Sequence, residues 1–347
     1  MRTSNLLEDA MFFKKLLFAM VVVLLAAASV RAASPTPDEQ DKLDALAAEI
    51  SGSILYTKGA RVYKVTIGDW FNPVDLGAGQ HVRWSPDGQK IAVLHNGMLY
   101  VMDADGGNRT LLVGGIAQNY NPIDFNANGT EILFTILNYG MKAIDISTEA
   151  IRDVATFHKY YAEPSVSLTG KRAAAREGTS HFLYAIDIGS GDRLYSSGTC
   201  SPGVSPCGAY LMNNTGTHTG LDIRDWDGSN RFTIDASTAQ PDGKWDNHHW
   251  SNHPDYTAVE GDVLGEVYIM KISAGVCTRV TWLGGCNYPD LFVNGVLTIS
   301  GAVTDASSSL PVANRIIRAT NGAQTIETQT DGDGEYMIVG FLDGDYT

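Results

Sequence analysis

The chain has 347 residues, 36 of them glycine, with 9% aromatic residues and a formal net charge of −14 at pH 7. That length allows more than one domain, and the glycine content suits many short strands joined by tight turns. So acidic a chain is a poor match for nucleic acid or anionic lipid, and neither is expected as a partner.

Residues 1–32 read as a signal peptide. Phe12-Phe13-Lys14-Lys15 precedes an apolar run over 16–28, and Val30-Arg31-Ala32 has the pattern of a cleavage site. Met11 is an alternative start, because Glu8 and Asp9 suit a leader poorly. The apolar run is short for a membrane span, so a secreted product (periplasmic, cell-surface or extracellular) is expected, with no membrane insertion after leader removal. Residues 33–50 read as a tether and a short helix: Thr36-Pro37-Asp38-Glu39 offers a helix start, and Leu43, Leu46 and Ile50 share one face.

From residue 51 a unit recurs. Trp84-Ser85-Pro86-Asp87-Gly88 is followed by turns beginning at Asn126, Ser167, Ser205 and Ser251, at steps of 41, 41, 38 and 46 residues. Each turn precedes short alternating strands, and a period near 40 with strand-like content marks a ring of stacked units. Residues 53–76 supply only three strands of a unit. The missing inner strand returns as Asn287-Tyr288-Pro289-Asp290-Leu291-Phe292-Val293, so six blades close by joining the two ends of the repeat.

Trp84-Ser85-Pro86-Asp87-Gly88-Gln89-Lys90-Ile91-Ala92 resembles the repeat of TolB-type six-bladed propellers, over residues 51–294. Asp87 has no equivalent at Asn126, Ser167 or Ser205. The resemblance implies architecture more than activity, because that family includes interaction platforms, peptidase accessory domains and some lyases. Residues 295–347, with Thr330-Asp331-Gly332-Asp333-Gly334-Glu335-Tyr336 and Gly344-Asp345-Tyr346-Thr347, resemble part of a carboxypeptidase-regulatory-like, transthyretin-like β-sandwich. That resemblance implies a spacer or adhesive module. The expected class is therefore all-β: a six-bladed propeller with a truncated C-terminal sandwich and a short N-terminal helix.

Four cysteines fall in two close pairs, Cys200 with Cys207 and Cys277 with Cys286. In a secreted chain such pairs suggest disulfides, with thiols or zinc as the other readings. No GxSxG elbow, HExxH, P-loop or strand-linked GxGxxG is present. The Asp-Gly loops at Asp103, Asp187 and Asp225 occupy one place in their blades, between third and fourth strands, which assigns them to hairpin turns before calcium.

Sorting by repeat position places seven of the eight histidines on the face that carries the blade connectors and the loops between second and third strands. Only His253 falls on the other face. The expected ligand site is therefore Tyr120, His158, Tyr160, Tyr161, Trp245, Asn247, His248 and Tyr288, an aromatic and imidazole rim suited to protein or glycan. His248 and His249 should face opposite ways along a strand. The favoured function is non-enzymatic binding with no cofactor. The alternative is a metal-assisted polysaccharide lyase or hydrolase, with a divalent metal drawn to histidines of the same rim.

Overall fold

The computed structural model describes residues 34–341 apart from 117–121, 137–139, 156–160, 178–181, 189–190, 197–199, 230–231, 237–242 and 321–324. The signal-peptide reading of 1–32 lies outside them. Six four-stranded antiparallel sheets form the blades of a ring. Blade 1 is β4 (His81–Trp84), β5 (Lys90–His95), β6 (Met98–Asp103) and β7 (Thr110–Gly114). Blades 2 to 5 follow in chain order, with inner strands β8 (Ile123–Phe125), β12 (Tyr161–Val166), β16 (Cys200–Val204) and β20 (Trp245–Trp250).

Blade 6 is built from both ends of the repeat. Its inner strand β24 (Cys286–Val293) pairs antiparallel with β1 (Gly52–Lys58), which leads into β2 (Arg61–Thr66) and β3 (Asp69–Ala78). Each inner strand lies beside two others, with β24 next to β4 and to β20, so the ring is closed.

The drifted turns keep their geometry. Gly88 N–H donates to Ser85 O at 2.9 Å, and Gly129, Gly170 and Gly208 repeat that bond to Asn126, Ser167 and Ser205. These four glycines hold φ between 68° and 76°, a region glycine enters without a Cβ clash. Asp87 itself is dispensable: it accepts from Ser85 Oγ at 2.6 Å, whereas in blade 3 Thr169 Oγ1 meets Ser167 Oγ at 2.7 Å.

Apolar packing is divided among the six interblade spaces. The space between blades 5 and 6 is filled by Tyr56, Val65, Tyr256, Ile269, Val280 and Leu291, among others. Helix α1 (Pro37–Glu49) adds Leu43 and Leu46 to it, followed by Ile50, as the sequence pattern requires. Pro37 suits the first helical position, and Asp38 and Glu39 complement the positive end of the helix dipole. Glu39 pairs with Arg279 at 3.6 Å and Glu49 with Lys271, which fastens the helix to blade 5. Among the described residues no helix is long and apolar enough to cross a membrane.

Beyond the ring, β25 (Leu297–Ala302) pairs with β28 (Glu335–Phe341), and β26 (Ile316–Thr320) pairs with β27 (Thr325–Gln329). Ala319 and Ile338 form their small core, joined by Ile317, Ile326 and Tyr336.

Candidate functional site

Counting back two residues from each turn gives one position in all six inner strands: Arg83, Asp124, Ser165, Gly203, His249 and Asp290. Inner strands have no ladder partner on their axial edge, so their backbone N–H groups need acceptors. This position supplies several. Asp290 Oδ2 accepts from Trp84 N–H of blade 1 at 2.5 Å, Asp124 Oδ2 from Val166 N–H of blade 3 at 2.8 Å, and Ser165 Oγ from Val204 N–H of blade 4 at 3.1 Å. Each of these three side chains thus caps the next blade.

The same tier carries buried charge. His249 Nδ1 lies 2.8 Å from Asp290 Oδ1, and its Nε2 lies 3.7 Å from Asp124 Oδ2. Blades 5 and 2 stand opposite one another, so the imidazole lies across the bore. Burial and the Arg83 charge disfavour its protonation, but the Asp290 and Asp124 carboxylates outweigh them and raise its pKa. Below it Glu163 accepts from Ser201 N–H at 2.7 Å and meets Arg176 at 3.5 Å. Burial pushes Glu163 up to about 7 despite Arg176. Arg83, Arg176 and His249 set against Asp124, Glu163 and Asp290 keep the channel close to neutral, which its depth demands because unpaired buried charge costs several kcal/mol.

Four inner strands carry a left-handed residue at the equivalent place two positions further back: Glu163, Ser201, Asn247 and Tyr288. Each lies at a break in strand register. Here the structure joins two of the expected ligand residues. Asn247 Nδ2 donates to Glu260 Oε2 at 2.9 Å and Tyr288 N–H donates to the same oxygen at 3.2 Å. Burial pushes Glu260 up to about 8, the Asn247 bond offsetting part of that. The Tyr288 ring packs on His81, with centroids 4.2 Å apart.

Of the other expected rim residues, the two that are described in full, Trp245 and His248, are buried. Trp245 is fully buried between blades 4 and 5, edge-on to Tyr268. His248 is buried with Nδ1 3.2 Å from Asn214 Oδ1, and burial lowers its pKa to about 3, so it stays neutral. It turns toward blade 4 while His249 turns toward blade 6, the opposite orientation expected of adjacent strand residues. Tyr120, His158 and Tyr160 lie outside the described residues, and Tyr161 is described only as the first residue of β12.

The open concavity lies at the other end of the channel. On the face of the turns between first and second strands, a shallow funnel enclosing a cavity of about 50 Å³ is lined from all six blades. Pro86, Asn126, Leu168, Pro206, Asn252 and Phe292 ring it; Asp124, His249 and Asp290 form its floor. Sequence reasoning missed this floor because charged residues were weighed motif by motif. The signal was their shared position two residues before the turn.

The cysteines stand as thiols, which corrects the expectation of disulfides. Cys200 opens β16 and Cys207 lies in the turn beyond its other end, and the strand alone spans about 13 Å at the usual rise. Cys277 packs between blades 4 and 5 and Cys286 between blades 5 and 6, on different sides of one sheet. Burial raises both thiols, Cys286 to about 12. The Asp103 and Asp225 loops are hairpin turns, closed by Gly106 N–H to Asp103 O at 2.9 Å and Gly228 N–H to Asp225 O at 2.8 Å.

Among solved structures the chain is similar to TolB from Acinetobacter baumannii, at 17% identity and a TM-score of 0.55 over 69% of this chain and 66% of that one. The fold is that of a TolB-like propeller. The structure of a putative TolB from Agrobacterium tumefaciens matches 85% of this chain and 99% of its own at 16% identity and a TM-score of 0.52. A chain of a nidogen/laminin complex matches 70% of this chain and 97% of its own at 9% identity and a TM-score of 0.55. No protein-family model and no curated protein matches the chain. At these identities the likeness establishes the fold, and the funnel has to be read from its own residues.

Proposed function

We propose that the chain is a secreted, non-enzymatic binding propeller that holds a segment of a partner protein in the funnel on its turn face. The observation that carries this reading is the funnel itself: all six blades contribute, a collar of four apolar residues and two asparagines surrounds a polar floor, and His249 lies across the bore beneath. Such a concavity with a few convergent polar groups is what a recognition site requires. A sugar would need an open aromatic face to stack on. Of the four aromatic residues that line the funnel, Trp84, Phe125 and Trp250 are buried and Phe292 alone is half-buried, so a peptide segment fits better than a glycan. A propeller chain within a protein complex, as in the nidogen/laminin structure, is in keeping with it.

The lyase alternative would draw its ligands from the connector-face histidines. His81 packs on Tyr288, His248 meets Asn214 and His249 meets two carboxylates, so among the described residues no observation favours it.

Random linear peptides selected on the purified chain test the reading, with a glycan array run beside them. Peptides should be recovered, and Leu168→Glu with Asn126→Lys should weaken them about tenfold or more, as loss of a collar contact does at protein interfaces. Peptides indifferent to both substitutions would refute the funnel as the site. The leader reading is checked separately: export from a bacterial host should yield a mature chain beginning near Ala33.

A further inference from the structure

The C-terminal unit leaves blade 6 at Val293, at the axis of the ring, and Val296 still packs against the seam of blades 5 and 6. Over blade 5, β28 rests directly on the turn after β20. A Cβ added at Gly340 would lie 2.6 Å from Pro254 Cγ, so only bare backbone fits there. At blade 3 the turn between β27 and β28 presents three carboxylates to one ammonium. Lys171 pairs with Asp331, with Glu335 at 2.7 Å and with Asp333 at 3.5 Å.

The acidic turn is preset for this contact. Asp331 Oδ1 accepts from the N–H groups of Asp333 at 2.9 Å and Glu335 at 3.0 Å, which fixes the loop before any partner is met. Partial burial works against the Lys171 charge, yet its bonds to Asp331 and Glu335 prevail and raise its pKa. Blades 6 and 3 are opposite members of the ring. The unit therefore reaches halfway round the mouth, and it grips the turns that supply Asn252 and Leu168 to the funnel.

We propose that the C-terminal unit is a tethered cover over one half of the funnel, latched by Lys171 to the Asp331, Asp333 and Glu335 turn, and that opening the latch exposes the site. This concerns regulation of the funnel and rests on that site being the one used. The latch is built to open, because partly exposed ion pairs are weak and are screened by salt. The tether at Val293 keeps the cover close when it does.

The test uses the full chain with a thiol introduced by Leu168→Cys, on the gripped half, or by Asn126→Cys, on the blade 2 side. Modification by a polyethylene-glycol maleimide is timed, and the four native thiols are subtracted with the unsubstituted chain. Adding Lys171→Glu should speed modification at position 168 about fivefold and leave position 126 within about twofold, the scale set by losing a small ion-pair cluster. Restoring charge complementarity with Asp333→Lys and Glu335→Lys should return the slow rate. Spin labels introduced by Asp105→Cys and Ser308→Cys report the cover directly, and their distance distribution should broaden in Lys171→Glu. An unchanged distribution would overturn the latch. A broadened one with unchanged modification at position 168 would overturn the cover. Neither measurement uses a partner, so a funnel that binds no peptide leaves this result standing.

Discussion

The two ends of the channel use similar residues to opposite effect. On the connector side Asn247, Tyr288, Glu260, His81 and His248 are consumed by contacts within and between blades. On the turn side four turns satisfy their own backbone through the glycine bond, and the half-buried Pro86 and Leu168 of the collar remain for solvent or a partner. Polar composition does not mark a binding surface. What marks it is whether the backbone nearby has already found its partners.

The largest expected effect that could break this contrast lies at its boundary. Asp290→Ala removes the acceptor for Trp84 N–H and the partner of His249, leaving Arg83 and His249 short of countercharge. Breaking a buried ion network in this way should cost about 3–5 kcal/mol in urea unfolding. A cost below about 1 kcal/mol, the scale of an exposed pair, would show that the tier is hydrated and not structural.

The adjacent histidines give a sharper and smaller comparison. His249→Gln leaves two carboxylates without their cation and should cost about 2–3 kcal/mol, whereas His248→Gln disturbs one neutral contact and should cost about 1 kcal/mol. Equal losses would mean that His249 is not charged in the folded state.

The pH dependence is carried by two groups of the connector side. Glu260 rises from its ordinary 4.5 to about 8 and Glu163 to about 7, both through burial. The folded state then holds protons that the unfolded chain releases. These two groups contribute fully below about pH 4.5 and progressively less as pH climbs through 7 and 8. The melting temperature should fall by about 10 °C or more between pH 5 and 9, and Glu260→Gln should reduce that fall. A fall that persists in Glu260→Gln would assign it to other groups.

The ring was legible because the turn is local: Ser85, Gly88 and their counterparts specify the same bond wherever they recur. The pairing of β24 with β1 was legible too, since a blade lacking an inner strand and an inner strand lacking a blade have one solution. The site was less so. Periodicity puts His248 and His249 on opposite sides of β20, yet both neighbours are buried, and only the tertiary partners Asn214 and Asp290 show which charge each carries. The breaks at Glu163, Ser201, Asn247 and Tyr288 have no common residue type, so nothing local announces them. The cysteines misled for a related reason: closeness along the chain says little when a sheet or a full strand length lies between.

The joint of blade 6 also sets an order of events. Leu55 pairs at once with Lys64 of β2, but the inner edge of its strand must wait for Asp290, almost the whole length of the ring away. Contacts so distant in sequence are slow to form, and until then β1 has an open edge ready to pair with another chain. Helix α1 is made immediately before β1 and covers Ile54 and Tyr56 from one side. The last inner strand synthesised completes the first blade, and the first helix guards the gap while the ring remains open.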